Sequence, residues 1–148
     1  MDTSRLPYAD TRGLSDREVS ELLRGHRVGV LALADEGTAY AIPLHYHYDG
    51  DVLLLRLSDD GQSRKLAYIE TTTEPQFLVY GHDGPYESWS VLLTGTLRER
   101  DSDAEPIDAA TLADWFGPMR VFDEAVEDLQ VRLFEFRVER AVGRATIG

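Results

Sequence analysis

The sequence predicts a mainly β fold, a six-stranded barrel with a few short helices. Three observations lead there. From Arg27 onward apolar and polar residues alternate with a period of two, turn signals such as Asp49-Gly50 separate the alternating runs, and stretches of helical period are few and short. Sequential strands with so little helix to cover them are best closed on themselves, because closure removes exposed edges. The chain has 148 residues, 43% of them apolar. That is enough for one domain with a real core and too apolar for disorder, so residues 1–148 are expected to form a single domain.

Residues 1–13 show no periodicity and read as an N-terminal arm. Ser15 with Glu18 forms a capping box, Leu14 and Val19 have staple spacing, and a helix over 16–24 follows with Val19, Leu22 and Leu23 inward and Gly25 at its end. Val28 to Ala34 reads as a strand, Asp35-Glu36-Gly37 as a turn, and Thr38 to Tyr48 as a second strand. Asp49-Gly50 is a hairpin signal into a third strand, 51–57, whose run Val52-Leu53-Leu54-Leu55 implies burial on both faces. A polar loop, 58–62, precedes a short helix, 63–71. Strands are expected over 76–80, 86–100 and 130–140, with two short helices, 107–116 and 118–127, before the last strand.

Composition excludes several functions. There is no cysteine, so disulfides, thiolate zinc sites and cysteine nucleophiles are absent. Fifteen basic against 27 acidic residues give a formal charge of −12, which opposes a nucleic-acid partner. Fourteen of the basic residues are Arg and one, Lys65, is Lys. Acid excess with almost no Lys reads as halophilic adaptation, in which hydrated carboxylates need salt to screen their repulsion, or as the mark of a GC-rich codon bias. No apolar stretch approaches a membrane span and the N-terminus has no signal-like block, so the expected location is cytoplasmic, with no membrane partner.

The segment Ser58 to Lys65 carries the strongest chemical signal. A polar, glycine-containing loop enters a helix whose first turn holds Ser63, Arg64 and Lys65, bringing free N–H groups, a hydroxyl and two cations together. Such a place accepts an anion, and a phosphate fits it; a capped, solvated helix is the plainer alternative. No glycine fingerprint of a Rossmann or P-loop site is present. A phosphate held on a barrel instead points to flavin mononucleotide (FMN). Pro43 interrupts the second strand, so Ala41-Ile42-Pro43-Leu44-His45 could offer backbone groups to a flat ring, or be a ligand-free irregularity. His45 and His47 share one side of that strand, but His26 and His82 lie in other segments with no metal motif, so no metal site is expected. Trp89 reads as core or subunit interface and Trp115-Phe116 as packing. No Gly-x-Ser-x-Gly elbow and no acid/base carboxylate pair can be named.

The order of these features resembles the FMN-binding split-barrel superfamily, the pyridoxamine 5′-phosphate oxidase-like proteins, and within it the branch of nitroimidazole-resistance-type proteins. The resemblance runs over about residues 14–100: Leu14-Ser15-Asp16, Val28-Gly29-Val30-Leu31-Ala32, Tyr40 to Tyr46 leading to Asp49-Gly50, Leu54-Leu55, Ser58, Ser63-Arg64-Lys65-Leu66, Pro75, and Ser90-Val91 with Gly95. It implies a dimeric split barrel with FMN in a groove between two subunits. Arg64 and Lys65 match the phosphate-binding pair, with Ser63 before them and Ser58 near the phosphate or ribityl chain. Ile42, Pro43 and Leu44 match the strand along the isoalloxazine ring, with His45 beside it, and Ser90 matches a flavin-side polar position. The implied activity is that of an FMN-dependent oxidoreductase acting on a small molecule. A deazaflavin or haem cofactor, the latter with His45 or His47 as axial ligand, and a non-catalytic flavin-binding or sensing role are the alternatives. Two departures stand out. Ser58 occupies a position where the nitroimidazole-resistance branch often has His, and residues 138–148 lack the substrate-holding C-terminal segment of pyridoxamine phosphate oxidases.

The charge reading carries its own test. The chain should lose compactness in dilute buffer and regain it in concentrated salt, followed by scattering or circular dichroism; full stability at low ionic strength contradicts salt adaptation.

Overall fold

Seven antiparallel strands and three helices make up the structure, a computed structural model that describes residues 2–59, 61, 64–119 and 130–147. In chain order they are β1 (Thr11–Gly13), α1 (Asp16–Gly25), β2 (Val28–Asp35), β3 (Thr38–Tyr48), β4 (Val52–Asp59), α2 (Arg64–Thr71), β5 (Gln76–His82), β6 (Ser88–Glu99), α3 (Ala109–Phe116) and β7 (Gln130–Thr146). The hydrogen-bonded order is β1-β7-β4-β3-β2-β5-β6, and β6 pairs again with β7, which closes the sheet into a barrel. Only β1 lies off that ring, on the flank of β7.

Local chemistry explains the turns. Ser15 Oγ accepts from the Glu18 amide at 3.2 Å and Glu18 Oε1 accepts from the Ser15 amide at 3.1 Å, which completes the capping box of α1. Glu36 and Gly37 both have positive φ, 47° and 82°, the requirement of the tight hairpin joining β2 to β3. Between β3 and β4, Asp49 Oδ1 accepts from the amides of Asp51 and Val52, each at 2.9 Å, and Gly50 supplies φ 106°.

The barrel is filled by Leu31, Leu33, Tyr46, Leu53, Leu55, Leu57, Phe77, Val79, Val91, Leu93, Phe134 and Phe136, and α1 adds Val19 and Leu23. Tyr46 is buried, and its hydroxyl donates to the Leu23 carbonyl at 2.9 Å. That bond ties α1 to β3, and burial pushes the phenol's pKa upward. A second cluster lies on the outside of β4 and β7, where α3 packs Phe116 against Leu54 and Leu133. The run Val52 to Leu55 is therefore buried on both faces as expected, Leu53 and Leu55 inward and Leu54 under α3.

Several expectations need correction. The arm is not wholly irregular: Thr11–Gly13 pairs with Arg144–Thr146, because the far half of β7 offers an open edge that three residues can occupy. The sheet thus has seven strands, not six. β7 continues to Thr146 rather than 140; its last third lacks apolar alternation, but β6 and β1 pair with it on either side. β4 runs through Ser58 to Asp59, so Ser58 ends a strand instead of opening a loop. β6 spans Ser88–Glu99, slightly shorter than expected. The expected helix 118–127 lies largely outside the described residues.

Gly95 shows how tight the closure is. It sits at the register shift between Thr94 and Gly95 where β6 crosses β7, and a Cβ there would collide with the Arg137 carbonyl and press on Phe136. Gly95→Ala should therefore lower stability by about 2 kcal/mol or more, whereas Gly13→Ala, which meets nothing within 4 Å, should stay within about 0.5 kcal/mol. Denaturant midpoints of the two variants check this.

Candidate functional site

One cavity of about 190 Å³ opens where β3, β4 and the start of α2 meet the end of α3. Val28 and the β3 run Ile42, Pro43, Leu44 and His45 line it together with Leu57, Ser58 and Lys65, and with Arg56, Pro118 and Met119. Six residues singled out from sequence, Ile42, Pro43, Leu44, His45, Ser58 and Lys65, are thus brought together. Among the described residues the lining holds two cations and no carboxylate, although 27 of the 148 residues are acidic. Lys65, Arg56 and Ser58 give it polar side chains beside the apolar ones of Ile42, Pro43 and Leu44.

The remaining sequence candidates lie elsewhere. Arg64 does not line the cavity; its guanidinium lies over the rings of Tyr40 and Tyr68, 5.5 and 5.8 Å from their centroids. Adjacent helical residues point about 100° apart, so one cation of the pair faces the cavity and the other is turned onto the aromatics. Ser90 lies in a different and larger cavity, about 620 Å³, with Tyr80, Trp89 and Arg144. Ser63 falls outside the described residues.

Arg56 was not anticipated. Its Nη1 donates to the Gly117 carbonyl at 3.0 Å and its Nη2 to the Pro118 carbonyl at 3.2 Å, while the guanidinium stacks over Phe116 at 5.2 Å. It therefore pins the end of α3 at the cavity, and partial burial draws its pKa below the usual arginine value. The only sequence signal was a charge directly after the apolar run of β4.

His47 is two residues beyond His45 but serves another place. Its ring lies flat against Trp115 of α3, centroids 4.0 Å apart and planes 7° apart, beside Arg27, whose Nη1 donates to the Asp114 carbonyl at 3.2 Å. Among the described residues no group of His, Asp and Glu is arranged to hold a metal ion, and no helix is long and apolar enough to cross a membrane.

The closed antiparallel ring, with a cavity along β3 and β4, has the form of a split β-barrel. A family model described as pyridoxamine 5′-phosphate oxidase matches residues 15–145, and the chain belongs to that family. Among solved structures, a FAD-binding protein of Mesorhizobium loti superposes with a TM-score of 0.72 at 21% identity, covering 95% of this chain and 100% of its own. A candidate 5-nitroimidazole antibiotic resistance protein of Bacteroides thetaiotaomicron gives 0.70 at 15% identity over 95% of this chain and 90% of its own. A FAD and haem binding protein of Mycobacterium smegmatis gives 0.70 at 19% identity over 93% of this chain and 74% of its own. At these identities the likeness is one of fold. No curated protein matches the sequence.

The His47 stack makes stability depend on pH. Burial, with Arg27 nearby, lowers its pKa from the ordinary 6.5, outweighing the opposite pull of Asp49 and Asp114. Below about pH 6.5 the unfolded chain takes up a proton that the folded chain refuses, so stability falls as pH drops through that point. His47→Phe keeps a flat ring on Trp115 and should flatten this part of the profile. An unchanged slope assigns it to other groups.

Proposed function

We propose that the protein is an FMN-binding flavoprotein, an FMN-dependent oxidoreductase acting on a small molecule as yet unidentified. Among the described residues, the lack of a carboxylate in a cavity holding Lys65, Arg56 and Ser58, in a chain of charge −12, carries the reading. A phosphate is the ligand feature that such a donor set favours. Lys65 and Ser58 would hold it, and Ile42, Pro43 and Leu44 would lie along the ring. Bound there, the flavin supplies hydride and electron transfer, and the protein supplies orientation and exclusion of water. Family membership and the FAD named for two of the three structural relatives support a flavin as the ligand.

The same surface supports a homodimer. At about 190 Å³ the cavity is smaller than the roughly 300 Å³ at which small-molecule sites begin, so most of a flavin would need a second wall. Next to Pro43, cross-strand pairing lines up Pro43, Val30, Leu78, Leu92 and Val142 across β3, β2, β5, β6 and β7 on the outer face of the barrel. Val28 and Val142 are half exposed, and Tyr80 is 63% exposed. An apolar band of that extent is what a second copy would cover, and it would bring a partner's Ser90 region toward the cavity.

Retained flavin absorbance after removal of unbound FMN tests the reading; a protein that retains none contradicts it, and parallel FAD and deazaflavin titrations decide the cofactor. Lys65→Ala should weaken FMN binding by about one to two decades, since a lost charge-assisted bond costs about 1.5–3 kcal/mol. Arg64→Ala should weaken it less, because its side chain lies over Tyr40 and Tyr68. Equal losses from both substitutions would restore the pair as a joint clamp.

A further inference from the structure

We propose that Arg132 is a positioning residue for the anion-binding end of the cavity, acting through the Asp59 carboxylate; this rests on the reading of that cavity as a flavin phosphate site. Arg132 lies in β7 directly opposite Leu57 of β4, on the inward face near one end of the ring. Its guanidinium forks onto Glu99 of β6, Nε to Oε1 at 2.6 Å and Nη2 to Oε2 at 2.8 Å. The third nitrogen, Nη1, donates to Asp59 Oδ2 of β4 at 3.3 Å. Asp59 Oδ1 in turn accepts the Gly61 amide at 2.8 Å, and Gly61 has φ 90°, a backbone turn that needs glycine.

One planar cation therefore joins three strands and, through Asp59, holds the chain where it leaves Ser58 on its way to the helix that carries Lys65. Leu57 and Ser58 line the cavity from β4, and Arg132 keeps the Asp59 carboxylate engaged where the strand ends. Were Asp59 released, a negative charge one residue from Ser58 would compete with an incoming phosphate, and the spacing of Ser58 and Lys65 would loosen. The Ile42 to Leu44 wall belongs to β3, which the network does not touch. Arg132 should therefore govern affinity for the phosphate and leave affinity for the ring alone.

The test compares FMN with riboflavin, which lacks the phosphate, by fluorescence titration of the whole chain, and follows exchange of the Gly61 amide in the flavin-free protein. In Arg132→Met, FMN should bind about tenfold more weakly, about 1.4 kcal/mol, with riboflavin unchanged and Gly61 exchange accelerated. Arg132→Lys, which can reach one carboxylate but cannot fork, should recover most of the FMN affinity and provides a folded comparison. Equal losses for both flavins, no loss, or an unchanged Gly61 amide overturns the proposal. If the unaltered protein binds neither flavin, the phosphate reading falls by itself, and Gly61 exchange still decides whether Arg132 holds the turn.

Discussion

The closure of β6 onto β7 is the constraint on which the rest of the structure depends. β7 is 17 residues long; its first half pairs with β4, most of its length pairs with β6, and its end pairs with β1. Without that shared strand the sheet has an open edge at β6 and no interior for Phe77, Phe134 and Phe136 to fill. Closure also fixes where β3 and β4 stand relative to α2 and α3, so the cavity is a consequence of the ring. Gly95 lets the two longest strands pass closely enough for this, at the one shift in their register.

Charge is distributed in step with that architecture. Arg98 and Arg100 meet Glu135, Arg132 meets Glu99 and Asp59, and Arg12 is bidentate on Glu18, whose carboxyl it holds at a pKa of about 2. Exposed pairs such as Arg17 with Glu21 add little stability each. Arg56 and Lys65 have no carboxylate partner among the described residues, and both face the same cavity. In a strongly acidic chain, a place supplied with cations and, among the described residues, lined by no carboxylate is where an anionic ligand meets least repulsion.

Much of this was legible in the residues, and the remainder fails for physical reasons. Ser15 with Glu18, and Asp49 with Gly50, are local signals whose bonds close within a few residues, so α1 and the β3–β4 turn were readable. The cavity wall from Ile42 to His45 was legible because Pro43 withholds a ladder donor; β3 runs unbroken through it, in register with β2, and pairs with β4 only from Tyr46 onward. Arg56 was not, because its partners Gly117 and Pro118 lie more than sixty residues away and nothing in β4 announces them. The different fates of Arg64 and Lys65 depend on the rotation of α2 against Tyr40 and Tyr68, which spacing along the chain leaves open. β1 and the far half of β7 hold each other through backbone pairing with exposed side chains, so neither shows a hydrophobic period.

A crystal structure of the protein grown with FMN tests the central claim most directly. The account predicts phosphate density between Ser58 and Lys65, the ring along Ile42 to Leu44, and a second copy across the apolar band. Flavin seated instead in the cavity formed by Tyr80, Trp89 and Arg144 of a single chain, or phosphate density remote from Lys65, would contradict it.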